Sequence, residues 1–319
     1  MKSSSKVLVT GANGFIGRAL CARFIEDSVP FVGAVRTLNA DDARGLVALG
    51  DFAAADWEET MGGVDTVVHL AGSVHASGAN ATNPTHFVVG NVHVTRRLLD
   101  AAIRAGVRRF VLASTIKVYG ERTFPGRPFR AGDAAHPQDA YAHSKAEAEA
   151  LLWQACRQSR MEGVVLRLPL TYGPNVKGNF LRLLEAVAAE RRLPLAGIGN
   201  RRTLLYVGNA VSAIESALVT DKLAGQTLPV ADRESISTSD LALRLARELK
   251  VSPRLFRLPP ALFYVAGALS GKRAAIARLT TSLEVDATRF DDLALWAPPY
   301  TLDQGLAATA AWWRRLHTL

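Results

Sequence analysis

Four side chains stand where they could move a proton. Ser114 and Thr115 end the apolar run Phe110-Val111-Leu112-Ala113, and Tyr141 and Lys145 follow in Tyr141-Ala142-His143-Ser144-Lys145. The Tyr141–Lys145 spacing is one helical turn, so phenol and ammonium share a face. An ammonium held beside a phenol favours the phenolate and lowers its pKa, as acid–base chemistry near neutral pH requires. Taken alone, such a pair is more often an exposed helix-surface contact. The hydroxyl-ended run ahead of it, together with a glycine turn at the start of the chain, gives it chemical meaning. Asp139 is a good N-cap for the helix carrying the pair. The segment Gly120–Pro137, rich in proline, glycine and charge, should lie over the site.

The elements that must position these groups begin with Val7-Leu8-Val9-Thr10-Gly11-Ala12-Asn13-Gly14-Phe15-Ile16-Gly17. A β-branched run turns here into Arg18-Ala19-Leu20-Cys21-Ala22-Arg23-Phe24-Ile25, which continues at helical spacing. Gly11 permits the turn, Gly14 lets backbone approach a pyrophosphate, and Gly17 lets the helix pack on the strand. Unpaired N–H groups and the positive end of the helix then face the phosphates. The spacing departs from Gly-x-Gly-x-x-Gly, and a ligand-free turn is the alternative; position after a strand and before a helix favours dinucleotide binding.

Phe31–Val35 reads as a second strand ending at Arg36, where an NAD-preferring site usually carries an acidic side chain. Arg36 suits a ribose 2′-phosphate, so NADP(H) is favoured with NAD(H) still open; a surface arginine is the alternative. Gly50–Ala55 is expected as a third strand leading to Asp56-Trp57, placed to meet an adenine. Val64–Leu70 is a fourth, running into Ala71-Gly72 where backbone passes close to the cofactor. His69 lies within it and reads as a hydrogen-bonded core histidine. A helix over Asn91–Ala105, a strand over Arg108–Ser114 and another over Gly163–Pro169 complete the alternation. That pattern predicts an α/β fold, a doubly wound parallel sheet covered on both faces. After Leu170-Thr171-Tyr172-Gly173-Pro174-Asn175 the pattern changes. Helices are expected over Asn179–Arg192, Asn209–Thr220, Ser239–Lys250 and Thr301–Leu316, with the extended piece Arg201–Val207 between the first two. The expected division is 1–170 for the dinucleotide-binding domain and 171–319 for a smaller, mostly helical substrate lobe, partly interleaved with the first.

Composition excludes several classes. With 319 residues and 49% apolar side chains the chain can build full-sized cores, so disorder is not a serious reading. The net charge of +9 comes from 38 basic and 29 acidic residues. The arginines are scattered rather than gathered with aromatics, which fits polyanionic small molecules better than nucleic acid. Cys21 and Cys156 have no metal or redox spacing and read as reduced core thiols, and no metal is expected. The apolar stretch Pro259–Leu269 is too short to span a bilayer and reads as a buried helix, with peripheral membrane contact as the alternative. The Met1–Lys6 leader is short and polar, so a cytoplasmic location is expected.

Together these motifs resemble the extended short-chain dehydrogenase/reductase family, in its nucleotide-sugar epimerase/dehydratase branch, over nearly the whole chain. The resemblance implies a Rossmann-type fold and a UDP-sugar substrate, and family members are often homodimers. It makes Tyr141 the acid/base, Lys145 its partner on the nicotinamide ribose, and Thr115 the group that hydrogen-bonds the reacting oxygen, with Ser114 able to share that role. It lines the cofactor site with Asn13, Phe15 and Ile16 in the turn, with Leu70, Ala71, Gly72, Asn91 and Pro169, and with Arg36, Asp56 and Trp57. Asn179, Phe180, Pro194 and Arg202 resemble positions that hold the nucleotide and pyrophosphate; a helix cap for Asn179 and a solvated charge for Arg202 are the alternatives. Sugar 4,6-dehydratases of the family carry Asp-Glu directly after the catalytic Thr, where this chain has Ile116-Lys117, so dehydration is not expected. The Ser114-Thr115-Ile116-Lys117-Val118 and Gly173–Phe180 runs and Arg36 are similar to bacterial reductases of UDP-6-deoxy-4-keto-hexosamines in surface polysaccharide biosynthesis. C4 reduction is therefore the expected activity. The alternatives are a UDP-sugar 4-epimerase with retained NAD, a reductase of a non-sugar carbonyl, and a non-catalytic NAD(P)-binding sensor or scaffold.

Overall fold

The computed structural model describes residues 6–38, 44–74, 84–259, 277 and 279–317. The Pro259–Leu269 expectation lies, but for Pro259, outside the described residues. Strand β1 (Lys6–Thr10) feeds helix α1 (Phe15–Glu26), and β2 (Phe31–Val35), β3 (Leu46–Ala48) and β4 (Val64–His69) follow. A short helix α2 (Pro84–Phe87) runs through a π turn (Val88–His93) into α3 (Val94–Arg104). Then come β5 (Arg109–Thr115), a 3-10 turn (Ile116–Val118), α4 (Ala140–Gln158), β6 (Glu162–Leu168) and β7 (Leu170–Tyr172). The remainder is α5 (Gly178–Ala188), β8 (Arg202–Tyr206), α6 (Val207–Val219), β9 (Gln226–Pro229), β10 (Ser235–Ile236), α7 (Thr238–Leu249), α8 (Thr288–Ala294) and α9 (Leu302–His317).

The main sheet has seven strands in the order β3-β2-β1-β4-β5-β6-β9, all paired in parallel. Strand order reverses between β1 and β4, the switch point where ligands bind in such sheets, outside the strands' carboxyl ends. A smaller sheet joins β10, β8 and β7. One face of the main sheet packs Val9, Val111 and Leu166 against Leu20 and Phe24 of α1 and Ile214 and Ala217 of α6. The other packs Leu8, Val67 and Leu112 against Leu98 of α3 and Leu152 of α4. A third core, built by Leu184, Leu245, Leu306 and Tyr172, lies between α5, α7 and α9. Phe15, the first residue of α1, packs on this third core, so the glycine turn is wedged between the two bodies. Strand β9 and helix α6, both beyond residue 171, belong to the main sheet's layers, which is how the chain interleaves.

One strand stands elsewhere than expected. The third is Leu46–Ala48, paired with Gly33–Val35, whereas residues 51–54 form turns. Gly50 has φ +65° and the Asp51 carboxylate accepts from the Ala53 N–H at 3.0 Å, so the chain bends where a strand was expected. Among the described residues no helix is long and apolar enough to cross a membrane.

Candidate active site

The glycine turn is built as its spacing requires. Gly11 has φ +70°, and a Cβ there would lie 2.8 Å from the Ala71 nitrogen. A Cβ on Gly17 would lie 2.1 Å from the Gly11 carbonyl oxygen. Helix α1 thus sits directly on the turn, and the turn sits on the Leu70-Ala71 backbone. Gly14 is the N-cap and offers no side chain to the first-turn amides, and no acidic residue occupies that turn. The amides and the positive helix end remain available to a pyrophosphate, so these residues fit a dinucleotide. Ile16 follows in the first turn of α1. Asn13 donates to the Thr37 carbonyl at 3.3 Å, tying the turn to the end of β2, where Arg36 is exposed. Asp56 is exposed and accepts from the Glu58 N–H. Trp57 is 2% exposed and meets Phe52 edge-on, so its ring serves the core and does not offer a face to adenine.

His69 explains how the next loop is held. The Ala71 N–H donates to the Thr10 hydroxyl at 3.2 Å, which lies 2.7 Å from His69 Nδ1. On the other side Nε2 lies 2.9 Å from the Thr95 hydroxyl, which itself donates to the Asn91 carbonyl. With Thr95's proton on Asn91, Nε2 carries the ring proton and Nδ1 accepts from Thr10. Burial, with the Lys145 charge second, pushes the imidazole down to about 3, so it stays neutral. His69 is a hydrogen-bonded core histidine that aligns the Ala71-Gly72 loop. Asn91 is 1% exposed; its Oδ1 accepts from the Ser73 N–H at 2.8 Å and its amide donates to Ser73 O and Ser144 Oγ. It acts on the cofactor side by holding that loop, its amide being fully engaged by protein.

Thr115 and Tyr141 meet at the carboxyl end of β5. Thr115 is the last residue of β5 and Tyr141 lies in the first turn of α4, whose N-cap Asp139 accepts from the Ala142 N–H at 2.7 Å. The Tyr141 ring meets Phe87 edge-on, with centroids 6.1 Å apart. Burial pushes its hydroxyl up to about 12; an interaction with the Thr115 hydroxyl pulls it down and the Asp139 charge adds to the rise. The sequence-based expectation was the reverse, a phenol made more acidic by Lys145. Desolvation wins because the charged phenolate is penalised more than its neighbours repay. Lys145 is itself 5% exposed, and burial lowers it to about 8 against the favourable charge of Glu149. Burial thus favours the neutral phenol over the phenolate.

Ser114 does not join Thr115. Neighbouring strand residues point to opposite faces, and the Ser114 hydroxyl donates to the buried Glu149 carboxylate. Arg167 closes on the same carboxylate through two hydrogen bonds of 3.0 and 2.6 Å and lies 4.2 Å over the Tyr119 ring. The arrangement turns Thr115 toward Tyr141 and Ser114 toward Glu149. Glu149 escaped the sequence reading; its signal was a carboxylate on the Tyr141–Lys145 face, one further turn along. Lys117, weighed in the sequence only as a departure from the dehydratase pair, ion-pairs with Asp139 beside Tyr141.

The remaining expected residues divide. Pro169 is buried between β6 and β7, and its carbonyl accepts from the Thr171 hydroxyl. Asn179 is exposed in the first turn of α5, whose N-cap is Lys177, so Asn179 is not the cap. Phe180 is 2% exposed and stacks on Tyr172 with centroids 5.1 Å apart, so its ring belongs to the core. Pro194 is partly exposed between α5 and β8. Arg202 begins β8 and donates to the Thr281 carbonyl at 3.2 Å.

Comparison with known proteins agrees with this geometry. The family model described as the NAD dependent epimerase/dehydratase family matches residues 7–230. The chain is 35% identical over 314 residues to a UDP-glucose 4-epimerase of Vibrio cholerae, covering 97% of this chain and 95% of that protein. It is 30% identical over 332 residues to a dTDP-glucose 4,6-dehydratase of Streptomyces griseus, covering 98% and 95%. The fold matches the crystal structure of UDP-glucuronic acid 4-epimerase from Bacillus cereus in complex with NAD, with TM-score 0.79, 21% identity and coverage of 98% and 99%.

Proposed function

The chain belongs to the NAD-dependent epimerase/dehydratase family, and on that footing we propose that it is an enzyme that interconverts the C4 epimers of a UDP-hexose. The observation that carries this reading is the Tyr141 hydroxyl set beside that of Thr115 at the carboxyl end of the sheet, with Lys145 one helical turn along. The similarity to the Vibrio cholerae UDP-glucose 4-epimerase supports it. Held on the turn Gly11–Gly17, NAD supplies the acceptor and donor of hydride. In its phenolate form Tyr141 takes the proton of the C4 hydroxyl as the carbon is oxidised, and the phenol so formed returns it to the same oxygen on reduction. Thr115 donates to that oxygen where negative charge develops, which is where binding accelerates a step. Lys145 contributes a positive charge one turn from Tyr141, favouring the phenolate when it forms. Lys117 and Ile116 hold the places of the dehydratase carboxylates, which disfavours loss of water.

A second reading, reduction of a UDP-4-keto-6-deoxy-hexosamine for surface polysaccharide, is favoured by one observation. Arg36 stands exposed at the end of β2, able to pair with a ribose 2′-phosphate. That reaction is the reductive half of the first, and NADPH would then be exchanged each turnover. A homodimer and a cytoplasmic location go with both readings. The discriminating experiment is to purify the protein, identify any copurifying cofactor, and supply UDP-glucose and, separately, a UDP-4-keto-6-deoxy-hexosamine with NADPH. Interconversion of UDP-glucose and UDP-galactose by enzyme holding NAD supports the first reading; stoichiometric NADPH oxidation with only the ketosugar replaces it with the second.

A further inference from the structure

Beyond standing where a dehydratase carries a carboxylate, Lys117 contacts both segments that carry Thr115 and Tyr141. Thr115 ends β5, and its Oγ1 accepts from the Lys117 N–H at 3.3 Å, capping the 3-10 turn that follows. The Lys117 side chain leaves that turn and ion-pairs with Asp139, while its Nζ lies 2.7 Å from Glu121 Oε1. Asp139 in turn caps α4 through Ala142. The same ammonium lies 5.9 Å from the centroid of the Tyr141 ring. One cation therefore joins the helical turn that starts after Thr115 to the helix that starts before Tyr141, closing the Gly120–Pro137 loop at its base.

We propose that Lys117 is a positioning residue, a charge clamp that holds the cap of α4 against the turn after Thr115 and shields Tyr141 from the carboxylate of Asp139. The proposal rests on the roles given above to Tyr141 and Thr115. The physical case lies in the charges facing the phenol. Asp139 faces it from the helix cap and Lys117 from the 3-10 turn with Glu121 behind it; Lys145 follows one turn along α4, and the α2 neighbour Phe87 is uncharged. Asp139 opposes formation of a phenolate, and Lys117 both neutralises Asp139 and presents a cation to the ring face. Removing Lys117 leaves Asp139 capping the helix but uncompensated, with Glu121 adding to the negative field. Lys117 and Asp139 are partly covered, with side chains 23% and 38% exposed, so solvent screens the pair only in part.

The test compares Lys117→Met, Lys117→Arg and the double variant Lys117→Met/Asp139→Asn with wild type, as purified holoenzyme, with kcat and KM measured across pH. Asparagine is as good an N-cap as aspartate, so the double variant removes both charges and keeps the cap. The clamp predicts that Lys117→Met lowers kcat about tenfold or more, as misplacement of a reacting group does, with KM for the sugar unchanged. It also predicts that the pH limb belonging to Tyr141 moves upward by about one unit. Lys117→Arg restores both, and the double variant restores the pH limb. Wild-type kcat and pH profile in Lys117→Met overturn the clamp, as does a loss that neither Lys117→Arg nor the double variant recovers. Tyr141→Phe is assayed alongside. If it is inactive while Lys117→Met is unaffected, the clamp alone falls; if it turns over like wild type, the Tyr141 reading falls and the clamp with it.

Discussion

Gly17→Ala puts a methyl group where the structure has no room for one. The added carbon would lie 2.1 Å from the Gly11 carbonyl oxygen and 2.8 Å from Ala12 Cα, both backbone atoms of the glycine turn. Neither belongs to a flexible side chain, so relief requires α1 to retreat from β1 by about an ångström, to ordinary van der Waals separation. Overpacking of this kind costs about 1–3 kcal/mol, which for a chain of this size lowers the melting temperature by roughly 2–10 °C. The first-turn amides of α1 move with the helix. Loss of one hydrogen bond to a charged phosphate, worth about 1.5–3 kcal/mol, raises the dissociation constant for the dinucleotide by roughly 10- to 100-fold. The assay is a thermal melt together with a fluorescence titration of reduced cofactor. Gly199→Ala is the control, since a Cβ there meets nothing within 4 Å. Wild-type affinity and melting temperature in Gly17→Ala would refute the packing argument, and a Gly199→Ala effect of equal size would show that it is not specific to the turn.

Other expectations follow from single groups. Thr115→Val keeps the shape and removes the hydroxyl, and should lower kcat about 100-fold with little change in cofactor binding; unchanged kcat in steady-state assays would exclude Thr115 from the reacting centre. Arg36→Asp should shift the NADPH/NADH preference ratio toward NADH by about tenfold or more, and a constant ratio would mean that Arg36 does not meet the 2′-phosphate. His69 has a folded-state pKa held near 3 by burial, below its unfolded value of about 6.5. Its contribution to stability is thus full above pH ~6.5 and is lost as pH falls from there toward about 3. Melting curves between pH 7 and 4 should fall less steeply for His69→Asn than for wild type; parallel curves would refute a neutral His69.

How much was legible in the residues depends on whether the interaction is local. The turn Gly11–Gly17, the Asp139 cap and the Tyr141–Lys145 face are set within a few residues, and each stands where spacing placed it. His69 was legible as a core histidine from its place inside an apolar strand. The third strand was misplaced because Leu46–Ala48 is too short to show alternation, and it exists by pairing with Gly33–Val35, a contact local pattern does not reveal. Trp57 and Phe180 were given to ligands, but large aromatics next to a site are as readily claimed by the core, and here the core holds both. Ser114 and Glu149 were decided by Arg167, which arrives from β6. The direction of the Tyr141 shift was misjudged because depth of burial, which decides it, is a tertiary property.

The most direct measurement of C4 chemistry uses UDP-glucose carrying deuterium at C4, incubated with wild type and with Tyr141→Phe, and the products read by NMR. Hydride transfer to and from C4 predicts UDP-galactose that keeps its deuterium at C4 in the wild-type reaction. With Tyr141→Phe the expected rate is lower by about 100- to 10,000-fold. Deuterium washed out to solvent, or full activity in Tyr141→Phe, would contradict it.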